Sequence, residues 1–288
     1  MTNRDDAVVD DFGDEWARFD QSALSQEEWE RIAASYFAAL PWDVVPPDAL
    51  AVDVGCGSGR WAQWMAPRVG RLVCVDASRQ AVQVARRALR GHANTVVVQA
   101  SVDAVPVAPG TADIVYSLGV LHHVPDTAAA IADCAALLKP GGVLHLYLYY
   151  SFENRPAWFR ALWKASDAGR TLVSRAPRPV KNGVCEVIAV TVYWPLARLA
   201  LLLERLGIDP TGLPLAPYRH LSLYSMRTDA RDRFGTRLER RFSRAEITDL
   251  LTAAGLVDIR IPDAFPYWIA VARRPSTAPG QVRAAVTT

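Results

Sequence analysis

Lysine is scarce in this 288-residue chain. Only Lys139, Lys164 and Lys181 stand among the 32 basic residues, and the rest are arginine. The skew is that of a GC-rich coding sequence and carries no functional reading. An excess of either charge is also missing. The 32 Lys and Arg are offset by 30 Asp and Glu, for a net charge of +2. That balance argues against a nucleic-acid partner held by a basic surface. Cysteine is limited to Cys56, Cys74, Cys134 and Cys185. None belongs to a C-x-x-C pair or stands at zinc spacing from histidine, so no metal site is expected, and free thiols in a reducing compartment are. The start, MTNRDDAVVDDF, lacks the apolar core of a signal sequence. The most apolar stretch, Val187 to Leu203, is broken by Pro195 and Arg198. It falls short of the ~20 uninterrupted residues of a spanning helix. No internal repeat is present. These absences lead to the expectation of a cytoplasmic protein with no membrane span.

What is present is material for a core. Hydrophobic residues make up 51% of the chain and charged residues 22%, with nine Trp, which excludes wholesale disorder. Residues 1–48 read as amphipathic helix. Ser25 and Glu28 make a capping-box pattern, and Trp29, Ile32, Ala33, Tyr36 and Phe37 recur at helical spacing. From Leu50 strands and helices alternate. Strands are predicted at 50–54, 71–75, 95–98, 112–116 and 143–148, and helices at 59–68, 78–89 and 126–138. Gly91 is the expected stop of the second helix, and Lys139-Pro140-Gly141-Gly142 that of the third. The rhythm halts over residues 149–242, which are rich in aromatics, Arg and Pro and mostly helical in pattern. It resumes with a capping box at Ser243 and Glu246, a helix to Ala254, and two closing strands at 256–261 and 267–271. The pattern implies an α/β fold, a mostly parallel sheet with helices on both faces. The division expected is a helical lid (1–48), a core (49–148 and 243–274), a helical cap (149–242) and a disordered tail (275–288).

The chemistry concentrates at AVDVGCGSGR, residues 51–60. A strand ends, glycines follow at 55, 57 and 59, and a helix begins, as where backbone must approach a ligand closely. Asp76 closes the next strand, 21 residues after Gly55. A carboxylate there can accept from both hydroxyls of a ribose. The dinucleotide fingerprint G-x-G-x-x-G would need glycine at position 60, where this chain has Arg60.

The run D-V-G-C-G-S-G resembles the first motif of class I S-adenosylmethionine (SAM)-dependent methyltransferases. TADIVYSLGVLHHVPD (111–126) and LLKPGGVL (137–144) are similar to the fourth- and fifth-strand motifs of that superfamily's small-molecule branch. The resemblance covers residues 50–148 well, and 243–273 by pattern. It implies a Rossmann-like, seven-stranded sheet with its last strand antiparallel, and SAM across the carboxyl ends of strands one, two and four. It further implies that Asp53 and Gly55 line the methionine part of SAM, that Gly57 gives backbone access, and that Asp76 takes the ribose diol with Ala77 beside it. The Leu118 carbonyl is expected at the methionine amine. QASVDAVPV (99–107) is similar to the adenine-binding segment, with Ser101 where Asp is frequent in the family and Val102 offering its N–H.

Candidates for the chemistry itself are His122 and His123 in the loop after strand four, with His122 favoured as a general base and the pair otherwise shaping the cofactor pocket and hydrogen-bonding backbone, and Tyr149, Tyr150, Glu153 and Arg155 beyond strand five. Each has a plainer reading as a packing residue or surface ion pair. Phe12, Trp16 and Phe19 share one helical face, so Trp16 is a candidate lid over the cofactor. In the cap, Tyr218, Arg219, His220 and Tyr224 cluster as substrate-site candidates, and YWPLARLALLLERLG offers an apolar helix, a pocket wall or a homodimer face. Arg227, Arg231, Arg233 and Arg237 read as solvated surface. The function expected is methyl transfer to O, N or C of a small, partly apolar molecule. A nicotinamide-dependent oxidoreductase and a non-catalytic interaction protein on the same fold are the alternatives. Arg60 speaks against the first, and the intact Gly55, Gly57 and Asp76 against the second.

Overall fold

A computed structural model describes residues 2–264 and 268–276. Two helices lead the chain. Helix α1 (Asp6–Arg18) starts where the Asp5 carboxylate accepts from the N–H groups of Ala7 and Val8. Helix α2 (Gln26–Phe37) starts at Ser25, whose hydroxyl accepts from the Glu28 N–H. The capping box expected there is only half made. The Glu28 carboxylate turns away to accept from Ser222 N at 2.9 Å, Ser222 Oγ at 3.1 Å and Ser225 Oγ at 2.6 Å.

The alternating segment follows as β1 (Leu50–Val54), α3 (Arg60–Met65), β2 (Arg71–Asp76), α4 (Arg79–Ala88), β3 (Thr95–Gln99), β4 (Ala112–Leu118), α5 (Thr127–Leu137) and β5 (Leu138–Tyr147). The cap helices are α6 (Ala157–Val173), α7 (Arg178–Ile188), α8 (Trp194–Arg205) and α9 (Leu223–Gly235). The chain closes with α10 (Arg244–Ala253), β6 (Val257–Arg260) and β7 (Ile269–Arg273). One seven-stranded sheet results, in the order β3-β2-β1-β4-β5-β7-β6. β7 runs antiparallel to both of its neighbours and the first five strands are parallel. The central strands are buried on both faces, as a parallel sheet between helices requires. The order reverses between β1 and β4, which leaves a crevice at the strands' carboxyl ends.

Three details at the ends of elements differ from the sequence reading. Lys139-Pro140-Gly141-Gly142 is not a helix stop but a bulged part of β5. Leu138 is already extended, and the β4–β5 register jumps from Ala112↔Leu138 to Ile114↔Val143. A Cβ on Gly142 would lie 2.9 Å from the Lys139 carbonyl oxygen and 3.0 Å from that of Ala112, so the bulge needs glycine there. α4 ends at the expected Leu89, which is itself the C-cap, and Gly91 lies beyond it. The last strand begins at Ile269, and Tyr267 and the tail from 277 lie outside the described residues.

The cap overturns a fourth expectation. Pro195 does not break the apolar run. A π-helical stretch, Ala189–Tyr193, joins α7 to α8, and Arg178–Arg205 is one 28-residue helix. In the π turn the Trp194 N–H reaches back five residues to the Ala189 carbonyl, and Pro195, with no N–H to donate, follows directly. By length and composition this helix could cross a membrane. It is instead tied to the rest of the chain by polar contacts. Lys181 pairs with Asp11 at 2.9 Å, the Tyr193 hydroxyl donates to Asp229 at 2.9 Å, and Arg198 donates to the Leu221 carbonyl at 2.7 Å.

Candidate active site

A cavity of about 400 Å³ opens at the carboxyl ends of the strands, within the size range of small-molecule sites. Its floor is the loop after β1, the end of β2 and the ends of β4 and β5. α1 and α2 form one wall, and α9 with the turn Ala216–His220 forms the other.

The glycine loop turns as its sequence requires. Gly55, Gly57 and Gly59 have φ of 82°, 52° and 81°, a region L-residues rarely enter. At Gly57 a Cβ would also lie 2.8 Å from the Trp16 indole, so α1 closes directly onto the loop. Asp76 stabilises this turn. Its carboxylate accepts from Gly57 N at 2.9 Å and Ser78 N at 2.8 Å. Burial raises its pKa, and the two N–H groups oppose that shift. Gly55, Gly57, Asp76, Ala77, Ser101, Val102, Leu118 and Trp16 all line the cavity. A nucleoside fits this half. The carboxylate stands where a ribose diol can reach it, and backbone replaces side chain at the loop.

Asp53 is placed differently. It is 1% exposed, does not line the cavity, and neither of its oxygens has a hydrogen-bond partner. Burial pushes its pKa up to about 8, a shift that the nearby Tyr116 hydroxyl opposes and Asp76 adds to. Arg60, the residue that breaks the dinucleotide fingerprint, does line the cavity. Its guanidinium lies over the Trp61 ring at 4.1 Å, and burial lowers its pKa. It is the cation nearest the glycine loop in sequence and can meet an anionic ligand group.

The structure redistributes the catalytic candidates. His122 is fully buried and off the cavity wall, with both ring nitrogens unpartnered. It stacks on Tyr149 at 3.9 Å, and burial holds its pKa well below the usual histidine value. Its neighbour His123 is the one that lines the cavity. His123 Nδ1 lies 2.6 Å from the Leu238 carbonyl oxygen. A carbonyl only accepts, so Nδ1 carries the hydrogen and Nε2 presents its lone pair. Burial lowers this pKa to about 4, keeping the ring neutral.

Tyr149 is on the wall, and its hydroxyl donates to Asp232 of α9. The other Asp232 oxygen lies 3.8 Å from His123 Nε2. Burial pushes the Asp232 pKa up to about 7, opposed by the Tyr149 bond and reinforced by Asp229 and Glu239. Asp229, one helical turn earlier, and Glu15 of α1 also line the cavity. Glu15 is buried with neither oxygen hydrogen-bonded, and its pKa is raised by burial and then by Asp232. The sequence reading missed these acids and Arg60; it weighed His123 together with His122 and favoured His122. Asp229 and Asp232 stand three apart in RTDARD, a spacing that puts both on one helix face.

The remaining candidates fall away from the cavity or at its rim. Glu153 is exposed, lies off the wall and accepts from Arg244 N at 2.8 Å. Arg155 donates to the Thr211 carbonyl, and Tyr150 bridges to Phe242. His220 stands at the rim, paired with Glu204 at 2.7 Å. Phe19 packs against Tyr224 instead of sharing the lid with Phe12 and Trp16. Arg231, read as solvated, is buried, donating to Asn182 at 2.8 Å beside Asp14 and Glu15. Among the described residues no group of three or more His, Cys, Asp or Glu gathers in metal-binding geometry.

A methyltransferase domain family matches residues 52–146, the span that holds the glycine loop, Asp76 and most of β5. The ubiquinone biosynthesis O-methyltransferase of Serratia proteamaculans (strain 568) is 36% identical over 117 residues, 40% of this chain and 48% of that protein. This chain thus spans about half of that relative. The enzyme of the same name from Xanthomonas campestris pv. campestris (strain B100) is 30% identical over 190 residues, 65% of this chain and 74% of that protein. Among solved structures, the methyltransferase complexed with the Haloferax volcanii Trm112 methyltransferase activator aligns over 94% of this chain and 99% of that one. Its TM-score is 0.53 at 19% identity, a likeness of fold. Glycine loop, acidic partner, sheet order and these relatives agree, and the chain belongs to the class I SAM-dependent methyltransferases.

Proposed function

We propose that this enzyme methylates a hydroxyl oxygen of a small, partly apolar molecule, with Asp232 accepting the proton. The observation that carries the reading is the Tyr149–Asp232–His123 cluster on the cavity wall, at the end of β5 and across from the glycine loop. When bound, SAM supplies an electrophilic methyl carbon, and the electron pair of the broken S–C bond stays on sulfur. The chain's part is to hold the acceptor in line, exclude water and remove one proton. Asp76 and the backbone of Gly55–Gly57 hold the nucleoside end, and Trp16 covers it. Arg60 pairs with a carboxylate. Tyr149 fixes one oxygen of Asp232 and leaves the other for the acceptor's hydroxyl. A carboxylate titrating near neutral pH suits proton uptake from a hydroxyl. Tyr36, Tyr147 and Tyr218 supply aromatic surface for an apolar acceptor.

The O-methyltransferase names of the relatives support oxygen as the acceptor atom. The raised pKa of Glu15, buried beside the cavity, also favours it over a cationic amine, which needs an ionised carboxylate to hold it. Four free, buried thiols support a cytoplasmic setting. Incubation with methyl-labelled SAM and matched sets of apolar phenols and amines tests the reading. Label on phenolic oxygen is expected, and label confined to nitrogen overturns it.

A further inference from the structure

The helix Arg178–Arg205 is apolar on two sides. Its inner side, with Cys185, Ala189, Tyr193 and Ala197, is buried in the cap. Val187, Val190 and Trp194, around the π turn, and Leu199, Leu202 and the capping Leu206, beyond it, follow in two sets spaced three or four residues apart, and all six are exposed, Val187 to 59% and Leu206 to 66%. At 1.5 Å per residue this stripe is about 28 Å long. Exposed apolar surface that continuous marks a contact face.

Charge identifies what the face fits. The acids of this helix are already neutralised. Glu186 pairs with Arg227 at 2.6 Å, and Glu204 pairs with Arg219 at 2.8 Å and with His220. The nearby Asp11 is held by Lys181. Arg175, Arg178 and Arg205 at the two ends are exposed, and no carboxylate pairs with them among the described residues. A second copy on this face would bring one set of end arginines against the other, because a two-fold contact is self-matching. A bilayer-spanning role would break the Lys181–Asp11, Tyr193–Asp229 and Arg198–Leu221 contacts. An apolar stripe with an interfacial Trp and basic ends matches an anionic lipid surface. Arg198 lies over the Trp194 ring at 4.0 Å, an amphipathic pair of the kind found at the headgroup level.

We propose that the outer face of this helix docks on an anionic bilayer, its stripe entering the headgroup–acyl boundary and its end arginines meeting lipid phosphates. The turn Ala216–His220 packs on α8, with Arg219 held by Glu204, and brings Pro217, Tyr218 and His220 to the cavity. Docking therefore carries the cavity rim near the lipid surface. The docking itself does not depend on which acceptor is methylated.

Sedimentation of the full chain with phosphatidylcholine vesicles, with and without phosphatidylglycerol, tests this. Binding only to the anionic vesicles, weakened by salt, is expected. The double variant Val187→Ser/Leu202→Ser should bind at least about tenfold more weakly. Arg178→Glu/Arg205→Glu should do the same. Thermal unfolding and S-adenosylhomocysteine binding should stay unchanged in both. Failure of the wild-type chain to bind anionic vesicles overturns the proposal. So does a light-scattering dimer that the Val187→Ser/Leu202→Ser variant dissociates.

Discussion

Tyr149 and Asp232, 83 residues apart in the chain, meet when the Tyr149 hydroxyl donates to the Asp232 carboxylate on the cavity wall. The contact joins the end of β5 to cap helix α9. It holds an acid whose pKa burial raises on the wall of the cavity, where we propose that the acceptor gives up its proton.

Asp232→Asn is expected to lower kcat by about 10²–10⁴-fold, the usual contribution of a proton acceptor, while S-adenosylhomocysteine affinity stays close to wild type. In the wild-type enzyme the rate should rise as pH passes about 7, because the ionised carboxylate is the acceptor. Burial raises that midpoint most, Tyr149 and Arg231 oppose it and Asp229 and Glu239 add to it, while His123 faces the carboxylate at 3.8 Å. The Asn variant should lose the rise. His122→Phe, which keeps the stacked ring on Tyr149, should keep the profile. A pH series of initial rates with labelled SAM checks both variants.

Asp53 links stability to pH. The unfolded chain gives up this proton near the ordinary value of 3.8, the folded chain at about 8. Between those values the folded state holds more protons, so stability falls as pH rises. Asp53→Asn should therefore raise Tm relative to wild type most strongly above pH about 8, and the gain should shrink toward pH 4. Thermal denaturation across that range is the measurement.

Glu28 fastens α2 to the cap through Ser222 and Ser225. Glu28→Ala leaves those donors without their acceptor and should cost about 2–4 kcal/mol. Urea unfolding measures the loss. Limited proteolysis should show faster cleavage within residues 206–222, where the cap loses its anchor.

Much of the nucleotide half was legible in the sequence, because its requirements are local. Gly55, Gly57 and Asp76 lie within one strand–turn–helix–strand unit, and their spacing is set by its lengths. The mostly parallel sheet followed from the alternation of elements, and its seven strands with an antiparallel last strand from the family resemblance. The acceptor half was less legible because its groups come from distant segments. Nothing local distinguishes His122 from His123. A 2.6 Å contact to the Leu238 carbonyl fixes His123 on the cavity wall, while packing on Tyr149 buries His122 behind it. Asp232 is one of many acids in the sequence, and only the fold of α9 over the sheet brings it to Tyr149. The continuity of the cap helix through Pro195 escaped the sequence reading for a related reason. A π turn lies directly ahead of the proline, and no residue preference announces it.

Calorimetric titration of S-adenosylhomocysteine into the wild-type chain and into Asp76→Ala tests the cofactor site most directly. One site per chain is expected for wild type. Loss of the Asp76 hydrogen bonds should weaken binding by about 10–100-fold in the variant. A folded wild-type sample that gives no binding heat, or an Asp76→Ala chain that binds as tightly as wild type, would contradict the assignment.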